Sequence, residues 1–401
     1  MSDQQGYIEA DNSRRIIFRG SGHEYFLVLI VNLLLMAVTL GIFTPWAIVR
    51  SKRYLYDNTE LSGSSFSYNV TGGSIFISWL CVCIFVFATQ AAIHSHSVFL
   101  AFFLIALMVM FLPYLMMLSV RYQMQSTTLN GVRFNFKSSG VQAWWAILGC
   151  PLLMLGVVFL ICNIMISVSI AINPFDLSRV MTTFAFSIIV AVMACSVVQG
   201  VTVGLWLKLF FNNLSFGTQQ FAAQVSIKKC VLICFYTMLI LIPFLIVIMG
   251  LILPNLLELI SIGISGDIEQ LVASDTMKSL QTNIILCYVI YLVGVIVCIS
   301  FLSVKLRHYY FNTVVLSEKI AFRSTLTVVG FITQLIINLL ITVCTLGFGY
   351  PWARIRYCHY LANNTWVDGD LDELILQDHN EKIATDIVSR LSRGLVPNLS
   401  L

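Results

Sequence analysis

The chain has 401 residues, of which 58% are hydrophobic and only 10% charged, against roughly 25% charged in an average soluble domain. Its 23 lysines and arginines against 19 acids leave a net charge of +4, too small to argue for nucleic acid. This composition excludes a soluble globular enzyme and fits a polytopic membrane protein.

Residues 1–24 read as an N-terminal tail. Arg14, Arg15 and Arg19 sit there among Asp3, Glu9 and Asp11, and the short apolar core and cleavage site of a signal peptide are missing. A bilayer core about 30 Å thick needs roughly 20 apolar residues as helix. Eight stretches qualify: 25–49, 75–93, 97–120, 143–172, 180–211, 229–253, 283–304 and 325–352. Residues 254–266 are short and carry Glu258, which suits an interfacial helix better than a span. Residues 370–401 read as a soluble C-terminal tail, with Ile383, Ile387, Val388 and Leu391 as a helical apolar stripe expected to dock on the hairpins described below. The eleven cysteines lie mostly inside apolar stretches and contain no CxxC, so they read as small hydrophobes.

The membrane domain, residues 25–369, contains two matched blocks. Shifted by 306, residues 32–63 fall on 338–369 with 15 of 32 positions identical. Asn32-Leu-Leu, Thr39-Leu-Gly41, Pro45-Trp46-Ala47, Arg50, Tyr54-Leu55, Asn58-Thr59 and Gly63 match Asn338-Leu-Leu, Thr345-Leu-Gly347, Pro351-Trp352-Ala353, Arg356, Tyr360-Leu361, Asn364-Thr365 and Gly369. Proline, tryptophan and arginine in register point to an internal duplication.

Weaker copies follow three other stretches. A basic residue stands five before an Asn-Thr-like pair at Arg53, Arg121, Lys208 and Arg307. Turn residues follow at Ser62-Gly63, Asn130-Gly131, Gly217-Thr218, Leu316-Ser317 and Asp368-Gly369. Asn-Gly and Asp-Gly supply the positive φ angles of a tight hairpin. Strands are therefore expected near 59–61 and 66–68, and near 127–129 and 132–136. The predicted fold is an all-α polytopic membrane protein of six to eight membrane helices, with internal repeats and short cytoplasmic β-hairpins.

Charge sets the orientation. If the first and last stretches do not fully cross, all hairpins and both tails share one side, and 21 of the 23 basic residues lie there. The positive-inside rule makes that side the cytoplasm. Length alone allows eight crossings, and the glycines and prolines of the matched blocks sit at a stretch's end rather than its middle. Six crossings with two re-entrant terminal elements fits the charge better.

The paired blocks, with Phe18-Arg-Gly-Ser-Gly-His-Glu-Tyr-Phe26 before the first, resemble the YjgN family of bacterial inner-membrane proteins across nearly the whole chain. The resemblance implies a multi-pass inner-membrane location. It implies no substrate, cofactor or catalytic residue.

No catalytic, cofactor or metal motif stands out, so the chain is not expected to be an enzyme. His94 and His96 lie two apart in a short loop without acidic company, too little for a metal site. Gly200 and Gly204 suit close helix packing within the chain. Amides inside the spans must be hydrogen-bonded or wet. Asn32, Asn338, Gln199, Asn163 and Gln334 are the candidate cavity or helix-packing residues, with Asn32 and Asn338 at matching positions. The expected function is transport or handling of a neutral, amphiphilic or lipid-like substrate, in contact with membrane lipids. The alternative is a non-catalytic scaffold whose hairpin layer binds a cytoplasmic or membrane protein partner. Arg50 and Arg356 are expected to perform equivalent jobs at matching helix ends.

Reporter fusions at residue 1 and after residue 401 test the topology. Both should report the cytoplasm; a periplasmic signal from both would restore eight crossings.

Overall fold

The chain is described by a computed structural model over residues 13–265, 275–369 and 387–393. Among these residues six helices are long and apolar enough to cross a membrane. They are α3 (Gly72–His94), α4 (Val98–Gln125), α5 (Gly140–Ile172), α6 (Leu177–Asn212), α7 (Ile227–Ser265) and α8 (Asp275–Phe311). The segment read as an interfacial helix after residue 254 is the last part of α7, which runs through Pro243 and Pro254 without a break. α6 and α7 approach closely at Gly200 and Gly204, where an added Cβ would collide with the backbone of Val231 and crowd that of Ile227. The glycine pair therefore serves packing within the chain.

The first and last apolar stretches turn back. α1 (Gly22–Val38) has 17 residues, about 26 Å at 1.5 Å each, and α2 (Thr44–Asp57) returns beside it. The C-terminal pair, α9 (Val328–Cys344) and α10 (Tyr350–Asn363), does the same. The matched Thr-Leu-Gly residues form the apex. Leu40 and Gly41 have φ of +49° and +88°, and Leu346 and Gly347 have +51° and +93°. Thr39 Oγ1 donates to Leu35 O and accepts from Phe43 N, while Thr345 Oγ1 donates to Ile341 O and accepts from Gly349 N. Pro45 and Pro351 then open the return helices, where a missing N–H costs nothing. An apex at the end of the hydrophobic stretch is possible because the return helix mixes apolar residues with charged ones.

All-α is only part of the architecture. Eleven short strands form a single sheet in the order β1-β11-β10-β9-β8-β7-β6-β5-β4-β3-β2. Four consecutive hairpins are β3–β4 (Thr59–Leu61, Ser64–Tyr68), β5–β6 (Thr127–Leu129, Val132–Phe136), β7–β8 (Leu214–Phe216, Gln219–Ala223) and β9–β10 (Val314–Leu316, Ile320–Ser324). Each hairpin pairs with the next, although whole membrane helices separate them in sequence. The N-terminal segment is not a free tail. β1 (Ser13–Arg15) pairs with β11 (Thr365–Asp368), and β2 (Ile17–Phe18) pairs with β3. Only Ile16 separates β1 from β2, so the two ends of the sheet are halves of one segment and the sheet closes into a ring.

The turns follow their chemistry. Ser62 and Gly63, and Asn130 and Gly131, all have positive φ, and the four enclose two-residue loops. The last hairpin turns at Ser317 and Glu318, one residue later than the sequence suggests. Asp368-Gly369 is no hairpin turn; it ends β11, whose partners are β10 and the N-terminal β1. The Asn-Thr pairs close helix ends. Asn58 Nδ2 and Thr59 Oγ1 donate to Tyr54 O and Leu55 O, and Asn364 Nδ2 and Thr365 Oγ1 donate to Tyr360 O and Leu361 O. Side-chain donors thus satisfy carbonyls that the helix leaves open as it becomes a strand.

The buried core sits where helix ends meet the ring, around Met124, Phe136, Ile320 and Val367, each at most 1% exposed. A short helix, α11 (Ile387–Ser392), packs against α3 and α4 rather than on the hairpins. Ser78 Oγ donates to Arg390 O, and the Arg393 guanidinium lies 4.5 Å from the Tyr122 ring centroid. Ile383 lies outside the described residues.

Gly131 has φ +77° with open space around it, so the penalty for a side chain there is purely conformational, about 1–2 kcal/mol. Gly131→Val should lower the thermal midpoint in detergent and expose the 127–136 loop to protease. Gly73→Ala, at an open helical site, should not.

Candidate functional site

The ring is built so that every second side chain faces inward. Each first strand contributes its third residue, Leu61, Leu129, Phe216, Leu316 and Val367, and each return strand its middle residue, Phe66, Phe134, Phe221 and Phe322. Phe18 and Ile16 complete the circle from the N-terminal segment. Neighbouring rings touch: Phe134 and Phe216 have centroids 4.6 Å apart, Phe221 and Phe322 6.0 Å. Closing a sheet of this many strands leaves a space that side chains do not fill.

That space continues past the helix ends. A cavity of about 730 Å³ runs from the inner face of the ring to the terminal helix pairs, a size that suits one small ligand. Trp206, Phe210, Phe211, Tyr310 and Phe311 line it from the ends of α6 and α8, Leu29, Asn32 and Met36 from α1, and Tyr357 and Leu361 from α10. The wall is apolar except for a few groups, and three of these are cations: Lys52 on α2, Arg307 on α8 and Arg354 on α10. Among the described residues no aspartate or glutamate lines it.

Each cation is held differently. Arg307 is only 9% exposed; its Nη2 donates to Thr365 Oγ1 at 2.8 Å and its guanidinium lies 4.7 Å from the Phe311 ring centroid. Its Nε has no hydrogen-bond partner. Arg354 lies 5.8 Å from the Tyr357 ring centroid. Burial raises the pKa of the Tyr357 phenol, and both Arg307 and Arg354 pull it back. Lys52 Nζ donates to Gln123 Oε1 at 3.2 Å. Burial pushes the Lys52 ammonium down to about 8, because an apolar wall disfavours its charged form.

Of the amides chosen from the sequence, Asn32 alone lines the cavity. It is 1% exposed; its Nδ2 donates to Ala47 O and Ser51 Oγ, and its Oδ1 is unpartnered. Asn338 is half-buried on α9 and is not part of the wall. Asn163 is exposed and donates to Phe159 O of its own helix. Gln199 lies on α6 away from the wall. Gln334 is buried and accepts from Arg356 Nε at 3.2 Å. The position matching Gln334 in the first block is Val28, so exposed Arg50 has no equivalent acceptor there. Trp46 and Trp352 do match in use: each packs over the glycine that opens another helix, Gly72 of α3 and Gly22 of α1.

Sequence reading missed Lys52, Arg307 and Arg354 as wall residues. Arg307 was visible only as the basic member of a repeated helix-end pattern. The recurring phenylalanine at the centre of each return strand was the available signal for the ring's interior.

Arg307 rests on the Thr365 hydroxyl. Thr365→Val should leave a buried donor unpaired at about 1–3 kcal/mol and lower the thermal midpoint. Thr333→Val, on an exposed stretch of α9, should change it little.

The chain matches the family described as bacterial protein of unknown function (DUF898) over residues 13–387. It is 34% identical to the inner membrane protein YjgN of Salmonella typhimurium strain LT2 and 32% identical to that of Escherichia coli strain K12, with 96% of both chains covered in each comparison. No solved structure matches it.

Proposed function

This chain belongs to the DUF898 family, whose YjgN relatives are inner membrane proteins, and we propose that it binds and handles a lipid-like amphiphile in the cavity beneath its strand ring. The observation that carries this reading is the continuity of the cavity wall. One part belongs to α1, whose other side chains Leu33, Leu34 and Val38 are exposed and apolar and suit contact with lipid. The other part is the inner face of a ring whose outer face is polar, with Arg19 paired to Glu60 and Arg15 and Arg323 flanking the Trp366 ring. A molecule with an apolar chain and a polar end finds both environments in one space.

In this reading the ring faces the cytoplasm, as the distribution of lysine and arginine favours, and both termini lie on that side. The terminal helix pairs are two copies of one unit and border the cavity from the membrane. The role is one of binding and transfer rather than bond-making chemistry. Inward use of the ring's apolar side chains supports a cavity protein over a scaffold.

Native mass spectrometry of the gently purified full chain tests the proposal. An amphiphile should co-purify at a defined stoichiometry. Leu29→Trp and Met36→Trp add bulk to the wall and should reduce that stoichiometry without lowering the thermal midpoint. A parent protein that retains no amphiphile and binds none on addition would overturn the reading.

A further inference from the structure

Resting on the amphiphile reading above, we infer that the bound molecule carries an acidic headgroup, a carboxylate or a phosphate on a single apolar chain, received by Arg307 and Arg354 with Lys52 as a further cation of the wall.

A charge taken out of water is costly unless it meets an opposite charge or a full set of hydrogen bonds. Arg307 is nine-tenths buried, has one hydroxyl for its Nη2, and leaves Nε unpartnered. Among the described residues no carboxylate pairs with Arg307, Arg354 or Lys52. Elsewhere in the ring the same chemistry is compensated: Arg19 meets Glu60 at 2.8 Å and Arg323 meets Asp368 at 3.5 Å. Arg19 and Arg323, turned outward, therefore have acids, while Arg307, Arg354 and Lys52, turned inward, do not. A structural role alone leaves buried Arg307 and half-buried Arg354 and Lys52 around one apolar space without an anion. A ligand that brings the anion completes the site.

The geometry suits an oxyanion. Arg307, Arg354 and Tyr357 all line the cavity, and Arg354 lies 5.8 Å from the Tyr357 ring centroid, so a phenolic hydroxyl is present beside the cations. A guanidinium presents a planar fork that matches carboxylate or phosphate oxygens in pairs. The apolar chain then has the phenylalanines of the ring or the α1 side of the cavity to lie against. The volume, about 730 Å³, falls within the range of roughly 300–1,000 Å³ for sites that take one ligand of modest size, which favours one chain over two.

The test uses the full-length protein in a neutral detergent and three probes with the same oleoyl chain: oleate, 1-oleoyl lysophosphatidic acid and neutral monoolein. Oleate or lysophosphatidic acid should bind at least tenfold more tightly than monoolein, and the stronger of the two identifies a carboxylate or a phosphate as the headgroup. Arg354→Gln should abolish that preference. Arg307→Lys, which keeps the charge but loses the fork, should weaken it. If Arg354→Gln does not fold, Lys52→Gln replaces it and should reduce the preference. Equal binding of all three probes by the parent overturns the acidic headgroup and leaves the amphiphile reading standing. A preference that survives Arg354→Gln overturns the assignment to this site. Failure of all three to bind overturns the amphiphile reading itself.

Discussion

Six residues near the N-terminus hold the two ends of the chain together. Ser13–Arg15 pair with the last strand, Ile17–Phe18 pair with the first strand after α2, and Ile16 N donates to Thr365 O between them. Strands of two to five residues are marginal as isolated hairpins, and an open sheet would present unpaired edges. Closure removes both problems, because every strand from β3 to β11 then has a neighbour on each side, with β1 and β2 each covering one end. It also brings the terminal helix pairs side by side, with α1 packed on α10. The cavity exists because that circle is complete.

The ring also explains where the hydrophobic core lies. Helices in a bilayer gain little from burying apolar surface against one another, since lipid is equally apolar. The main cluster of buried apolar side chains accordingly sits at the junction between helix ends and strands, where water would otherwise reach. The junction is reinforced by repeated polar contacts. Asn and Thr side chains close the helix ends, Arg53 Nη2 donates to Val70 O, and His359 Nε2 contacts Gly20 O at the equivalent place in the last unit. Arginine and histidine thus serve one position because both offer a nitrogen to a backbone carbonyl.

Charge is divided by the wall of the ring. Arginines on its outer face meet acids or stack on Trp366. Those on its inner side meet hydroxyls and aromatic rings. A guanidinium over an aromatic face is stabilised more strongly when desolvated, which lets Arg307 remain buried. An inner face that is both aromatic and cationic distinguishes this cavity from a packing defect, which would be apolar throughout.

Much of the architecture was legible in the sequence because it depends on local rules. Six long apolar runs, the hairpin turns at Ser62-Gly63 and Asn130-Gly131, and the strands beside them follow from hydropathy and from the need for positive φ. The turn-back of the terminal stretches was legible through charge, although its apex at Leu40-Gly41 and Leu346-Gly347 was not, since an amphipathic return helix hides the fold-back from a hydropathy profile. Pairing between hairpins separated by entire membrane helices was beyond reach, because strand partners that distant leave no mark on either neighbourhood. The cavity shared that fate: Asn32 was identifiable as a buried amide, while Lys52, Arg307 and Arg354 read as ordinary helix-end cations. Sequence determined which segments cross, turn and extend, through local periodicity and backbone geometry. Only the tertiary structure decided which cations face inward, because that depends on closing a ring whose first and last strands stand at opposite ends of the chain.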